Sequence, residues 1–257
     1  MFVKRLIRKL ATGAFPELAD IGVRLRAIES AFSILATDAR YDNDDGSFNG
    51  QAIRRGLVTD IIARMKPATI VETGTYLGST TGYLARFDVP VHSSEISAPL
   101  LFAARQRLSQ FRNVTLRLGD SRRMLAQLIA DGVNASSTFF YLDAHWLDDL
   151  PLLDEMRLID GNWASYIALV DDFQVPGDSG YAYDDYGANK VLRYAYLEPC
   201  LRGQSIEVYF PNAPSHQETG GRRGCVILAK GSANTRVLRE SEGLSPFTSR
   251  HGQNASG

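Results

Sequence analysis

The sequence predicts an α/β protein built on a mostly parallel, seven-stranded sheet. Helices cover both faces, a C-terminal pair of strands forms an antiparallel hairpin, and a helical extension precedes the sheet. Three observations carry this reading. From residue 68 onward, short apolar runs alternate with amphipathic segments, as parallel strands alternate with crossover helices. The first apolar run stops at a glycine turn, Glu72-Thr73-Gly74-Thr75-Tyr76-Leu77-Gly78, and a helical pattern follows at once. Further on, two apolar runs succeed one another with only a Gly-rich turn between them, which is the pattern of a hairpin at a sheet edge.

The elements follow in order. Residues 1–67 read as a mostly helical extension. Phe2, Val3, Leu6, Ile7 and Leu10 fall on one helical face, and Lys4, Arg5, Arg8 and Lys9 on the other. Such a segment suits weak contact with an anionic membrane surface, or packing on its own domain or a partner subunit; both remain open. It lacks the apolar stretch of a signal peptide. Ile21, Leu25, Ile28, Phe32 and Leu35 form a second stripe, and Ile53, Leu57, Ile61 and Ile62 a third. Residues 38–51, rich in Asp, Asn and Gly, are expected as a loop between them. Strands are expected at 68–72, 89–94, 114–118, 138–142 and 166–170, with helices at 79–87, 98–111, 121–130 and 150–159. A helix near 188–197 precedes the last two strands, 206–210 and 225–229. The sheet domain is thus expected over 68–230, and residues 231–257 as a polar, loosely held tail.

Composition narrows the function. The 257 residues carry a formal net charge of −1, with 44% hydrophobic and 22% charged residues, so the total gives no support to a nucleic-acid partner. No run of ~20 apolar residues is present. Cys200 and Cys225 stand alone, which disfavours a zinc ribbon and suits two free thiols in a reducing cytoplasm, one disulfide between them being the alternative. Self-association into a homo-oligomer is left open.

The glycine turn carries the first chemical signal. Its spacing is Gly74-x-x-x-Gly78, not the tighter pattern of dinucleotide enzymes, which disfavours a dehydrogenase. A ligand of an open α/β sheet binds beyond the carboxyl ends of the strands. Acidic Glu72 suits a cofactor with an ammonium group and no phosphate, such as S-adenosylmethionine (SAM). Glu95 lies 21 residues after Gly74, where an acidic side chain can hold ribose hydroxyls; helix-start solvation beside Ser97 and Pro99 is the structural alternative. Asp120 and Ser121 suit a helix cap, contact with an adenine ring, or both.

The fourth strand ends in Asp143-Ala144-His145-Trp146 and the fifth in Asp171-Asp172. Three carboxylates and a histidine at neighbouring strand tips require compensation. A divalent cation with hard oxygen ligands, Mg²⁺ or a similar ion, supplies it; capping and solvation are the alternative.

In this order and spacing, Glu-x-Gly-x-x-x-Gly-x-Thr, an acidic second-strand end, Gly-Asp-Ser, Leu-Asp-Ala-His-Trp and Asp-Asp resemble the class I, SAM-dependent, metal-dependent small-molecule O-methyltransferases. The macrocin-type branch, which methylates sugar hydroxyls, is the most similar. The resemblance spans roughly residues 52–230. It implies a Rossmann-like fold in which Glu72, Gly74, Tyr76, Gly78 and Thr80 contact the methionine part of SAM, Glu95 the ribose, and Asp120 and Ser121 the adenine end. It also implies Asp143, Asp171 and Asp172 as metal ligands. Where catechol-type enzymes carry a lysine base after the His-Trp pair, this chain has Leu147; where they commonly carry Asn, it has Asp172. Both departures count against a catechol-like phenol.

His145 is then the best general base, although a role in orienting Asp143 or the cofactor is also open. Trp146 either stacks on the adenine or fills core. The expected reaction is methyl transfer to a hydroxyl of a sugar, glycoside or other vicinal diol. The stretch 173–190 is expected to form a substrate lid in which Tyr181, Tyr183 and Tyr186 make one platform for a sugar face, an ordinary surface loop being the alternative. The contrasting reading is a non-catalytic SAM-binding or interaction protein that kept the fold.

Overall fold

The computed structural model describes residues 44–145, 149–187 and 189–248. The extension stripes before residue 44, Trp146, Leu147 and the last nine residues lie outside them. Within them the chain runs α1 (Ala52–Met65), β1 (Thr69–Thr73), α2 (Ser79–Leu84), β2 (Val91–Glu95), α3 (Ala98–Arg107), β3 (Val114–Leu118) and α4 (Ser121–Ala130). It continues through β4 (Thr138–Leu142), α5 (Leu152–Asn162), β5 (Tyr166–Asp171), α6 (Tyr194–Leu201), β6 (Ile206–Pro211), β7 (Cys225–Lys230), α7 (Ser232–Arg239) and β8 (Leu244–Pro246). One eight-stranded sheet has the order β3-β2-β1-β4-β5-β7-β6-β8. The first five strands pair in parallel, and β7, β6 and β8 antiparallel.

Burial explains why the central strands read as near-continuous apolar runs. Every residue of β1, β4 and β5 is buried, because helices cover both faces. Val71, Phe140, Leu142 and Ala168 join one core with Met124, Leu128, Met156 and Ile159 of α4 and α5. Ile70, Phe139, Tyr141 and Ile167 join the other with Val58, Ile61, Leu84 and Leu238 of α1, α2 and α7. The third apolar stripe of the extension therefore packs on the sheet as α1. The strand order turns at β1, with β2 on one side and β4 on the other, and this opens a crevice at their carboxyl ends.

Two expectations need correction. The polar tail at 231–257 is structured through residue 248 and supplies an eighth strand. Sparse apolar residues anchor it: Leu238 and Leu244 are buried, and the Phe247 ring packs 5.3 Å from Phe210 and 4.6 Å from Tyr194. The helix expected near 188–197 starts later, at Tyr194. Before it, the Lys190 N–H donates to Gly187 O at 3.0 Å, Val191 lies beside Asp185, and Leu192 is buried.

Leu238→Ala is expected to lower unfolding free energy by about 2–5 kcal/mol in urea titration, as loss of a buried leucine does. A change near zero would contradict the docked C-terminal helix.

Candidate active site

The site begins where β1 ends. Gly74 adopts φ +87°, and a Cβ there would lie 2.3 Å from the Asp143 carbonyl oxygen. Only glycine lets the β1 tip pass this close to the β4 tip. The Asp143 N–H in turn donates to Thr73 O at 2.9 Å. Gly78, at φ +82°, serves packing too: a Cβ would meet Leu108 at 2.9 Å. Tyr76 stands exposed between them with φ +49°. The Thr80 hydroxyl accepts the Phe48 N–H at 3.1 Å. It thereby pins residues 44–50, whose Phe48 ring is buried against Tyr83 and Tyr141.

Glu72 is buried with its Oε2 accepting from the hydroxyls of Ser93 and Thr81. Burial pushes its carboxyl up to about 7, against the pull of those hydroxyls. Its Oε1 has no partner. Glu95 accepts the Tyr76 N–H at 2.8 Å and the Ser97 N–H at 2.7 Å, and burial raises its carboxyl above the ordinary range. Asp120 caps α4 through the Arg122 N–H. It also binds the Arg122 guanidinium, which holds its carboxyl below the ordinary range. Ser121 is buried beside Glu155 of α5, a glutamate absent from the sequence reading. Burial raises the Glu155 carboxyl, while hydrogen bonds from Ser121 and Thr73 and the charge of His145 act the other way. Its Oε1 is also unpartnered.

At the tips of β4 and β5, His145 Nε2 lies 3.6 Å from Asp143 Oδ1, 3.7 Å from Asp172 Oδ2 and 3.9 Å from Asp184 Oδ2. The imidazole is buried, and Nε2 has no hydrogen-bond partner. Asp143, His145 and Asp172 each offer a ligand atom within 4.8 Å of the others. Low-polarity surroundings push the Asp143 carboxyl well up, and Asp171, Asp172 and Glu72 add to this.

Asp171 does not join the group, contrary to the expectation that it is a metal ligand. Its carboxylate is buried and ion-paired with buried Arg54. It also accepts from the Tyr141 hydroxyl, from Asn49 Nδ2 at 3.3 Å and from the Asp172 N–H at 2.9 Å. Burial would raise its carboxyl, but Arg54 and Tyr141 hold it below the ordinary range. Asp171 is the last residue of β5 and Asp172 the next, at φ +53°; successive side chains along a strand point to opposite faces, and here Asp171 meets Arg54 while Asp172 meets Arg223 and faces His145.

The stretch 173–187 is stitched down, which corrects the picture of Tyr181, Tyr183 and Tyr186 as one platform. Tyr181 is buried and donates to Ala213 O at 3.0 Å. The Tyr186 hydroxyl lies within hydrogen-bond distance of Asp184 Oδ2 and His145 O. Arg54, Arg223, Asp184 and Glu155 escaped sequence reading as site residues. A buried arginine breaking the apolar stripe at Arg54 was the one available signal.

The architecture matches known structures. An O-methyltransferase from Bacillus cereus in complex with SAH superposes with TM-score 0.53 at 16% identity, covering 87% of this chain and 96% of that one. The O-methyltransferase TomG from Streptomyces achromogenes, involved in tomaymycin synthesis and in complex with SAM, superposes with TM-score 0.52 at 18% identity, covering 80% and 90%. The chain therefore has the Rossmann-like fold of class I SAM-dependent O-methyltransferases. No family model and no curated protein matches the sequence.

Glu72 yields a pH test. Its folded value of about 7 exceeds the ordinary glutamate value, so the folded state holds the proton longer. The linked stability is whole below the ordinary range and is lost as pH rises through about 7. Without cofactor, wild type is expected to lose on the order of 3 kcal/mol relative to Glu72→Gln between about pH 5 and about pH 8 in urea titrations. A pH-independent difference would contradict an enclosed, protonatable Glu72.

Proposed function

We propose that the chain is a SAM-dependent O-methyltransferase, assisted by a divalent cation, acting on a hydroxyl of a sugar or other vicinal diol. One observation carries this reading most. The buried side-chain atoms without partners among the described residues are Glu72 Oε1, Ser94 Oγ, His145 Nε2 and Glu155 Oε1. Glu72 and Ser94 are the next-to-last residues of β1 and β2, His145 lies three residues past β4, and Glu155 is in the first turn of α5. Each such orphan costs about 1–3 kcal/mol unless a ligand meets it, so the crevice is built for a polar guest. The likeness to SAM- and SAH-bound structures of the same fold supports the same choice.

The residues fit both groups. Glu72 and the turn Gly74–Gly78 would hold the methionine end of SAM, Glu95 the ribose, and Asp120 and Ser121 the adenine end. When bound, SAM supplies a methyl carbon on a positively charged sulfur. Asp143 and Asp172 would hold the cation, whose charge favours loss of a hydroxyl proton. His145 takes that proton: Nε2 is enclosed, without a partner, and directed at the carboxylates. The hydroxyl oxygen forms its bond to the methyl carbon as the carbon–sulfur bond breaks, and S-adenosylhomocysteine (SAH) leaves. Such a cation would suit a substrate with two adjacent hydroxyls, since its charge would orient the pair and favour loss of a proton from one of them.

No helix among the described residues is long and apolar enough to cross a membrane. Weak surface contact through residues 1–10, a cytoplasmic location and homo-oligomerisation stay within this proposal.

Calorimetric titration is expected to show SAM and SAH binding and no NAD binding. With a diol acceptor, EDTA should abolish methyl transfer and Mg²⁺ restore it. His145→Ala should lower kcat by about 10²–10⁴-fold with SAH affinity unchanged. NAD binding without SAH binding, or full turnover in chelator, would overturn the proposal.

A further inference from the structure

His145 Nε2 has no hydrogen-bond partner. Its approaches to Asp143 and Asp172, 3.6 and 3.7 Å, are too long to be hydrogen bonds. No bond at that nitrogen therefore holds it in place. A hold comes instead through the backbone of the same residue. The Tyr186 hydroxyl lies 3.1 Å from His145 O, and the same hydroxyl reaches Asp184 Oδ2. Its one proton thus sits between two acceptors. Asp184 Oδ1 binds Arg223 Nη2, and Arg223 Nε binds Asp172 Oδ1. The contacts form a ring that runs from the His145 carbonyl through Tyr186, Asp184, Arg223 and Asp172 and returns, across 3.7 Å, to His145 Nε2. The backbone anchors this ring. The Asp184 N–H donates to Asp172 O at 2.9 Å, the Leu192 N–H to Asp184 O at 3.0 Å and the Tyr186 N–H to Lys190 O at 3.0 Å.

We propose that Tyr186 is the positioning residue of the base, and that through Asp184 and Arg223 it ties the His145 backbone to the Asp172 carboxylate. This rests on the reading of His145 as the base. A base works only where its nitrogen meets the hydroxyl proton, and a misplacement of ~1 Å can cost ~10²-fold in rate. The chain of contacts joins two groups that must meet there although they follow different strands, His145 after β4 and Asp172 after β5. One guanidinium serves both carboxylates, and its planar fork fixes their relative placement. Both oxygens of Asp184 are occupied, Oδ1 by Arg223 and Oδ2 by Tyr186, so Asp184 transmits position and holds nothing else. Burial and the bond to Asp184 push the Tyr186 hydroxyl above the ordinary tyrosine range, so it keeps the proton that it donates.

The test is NMR of the full chain with ring-labelled histidine and SAH, at one fixed pH. The chain has four histidines, and the His145 signal is the one that His145→Gln removes. Tyr186→Phe deletes only the hydroxyl. It is expected to move or broaden the His145 signal and to leave the other three, the melting temperature and SAH affinity at their wild-type values. With a methyl glycoside carrying a vicinal diol as acceptor, it should lower kcat about tenfold or more at unchanged KM for SAM. Asp184→Ala should move the same signal. Asp184→Asn should largely restore it, because the amide keeps an oxygen for Arg223 and offers an N–H to the tyrosine oxygen. If the His145 signal stays in place in Tyr186→Phe, the positioning role is overturned and the base reading keeps its own test. If the signal moves but His145→Ala turns over like wild type, the base reading falls and takes this proposal with it.

Discussion

The strand tips depend on the buried ion pair between Arg54 and Asp171. Both side chains are essentially inaccessible to water, and removing one partner of such a pair typically costs about 3–5 kcal/mol. The pair does more than neutralise. Arg54 lies on α1, and its second terminal nitrogen donates to Arg223 O. One guanidinium thus joins the helix before the sheet, the end of β5 and the segment that carries Arg223. Glu218 fixes the start of α1 by accepting the N–H groups of Ile53 and Arg54, each at 3.0 Å. With Asp171 held inward and the chain bent at Asp172, the next carboxylate has only the crevice to face.

A second constraint acts from the opposite wall. Gly74 lies against the backbone of Asp143, so the glycine turn and the first acidic residue of the site form one packing unit. A side chain at position 74 would displace the carboxylate as well as crowd the crevice. The motif therefore serves geometry before it serves any ligand. Gly78 against α3 and Thr80 against Phe48 extend the same logic. The crevice is a consequence of how closely its walls are allowed to approach.

Much of this was legible. The runs at 114–118 and 138–142 coincide with β3 and β4: β4 is buried along its whole length and is read as a continuous run, whereas β3, at the sheet edge, has no fully buried residue and is read from its alternation of Val114, Leu116 and Leu118 with Thr115 and Arg117. Asp143, His145 and Asp172 were readable as neighbours because each follows the end of a parallel strand. Three features were not. The docking of α7 and β8 rests on a few residues, Leu238, Leu244 and Phe247, in a polar context. The pairing of Asp171 with Arg54 spans 117 positions, so no local pattern showed which of the two consecutive carboxylates is already neutralised. Arg223 and Asp184 are paired across 39 positions, and local periodicity carries no record of contacts at that range.

The most direct test of the account is anomalous diffraction from crystals soaked with Mn²⁺ and SAH. The account requires a manganese peak within bonding distance of the Asp143 and Asp172 carboxylates, SAH density beside Glu72 and Glu95, and Asp171 still paired with Arg54. A peak held by Asp171 with Arg54 displaced, or SAH bound elsewhere on the sheet, would contradict it.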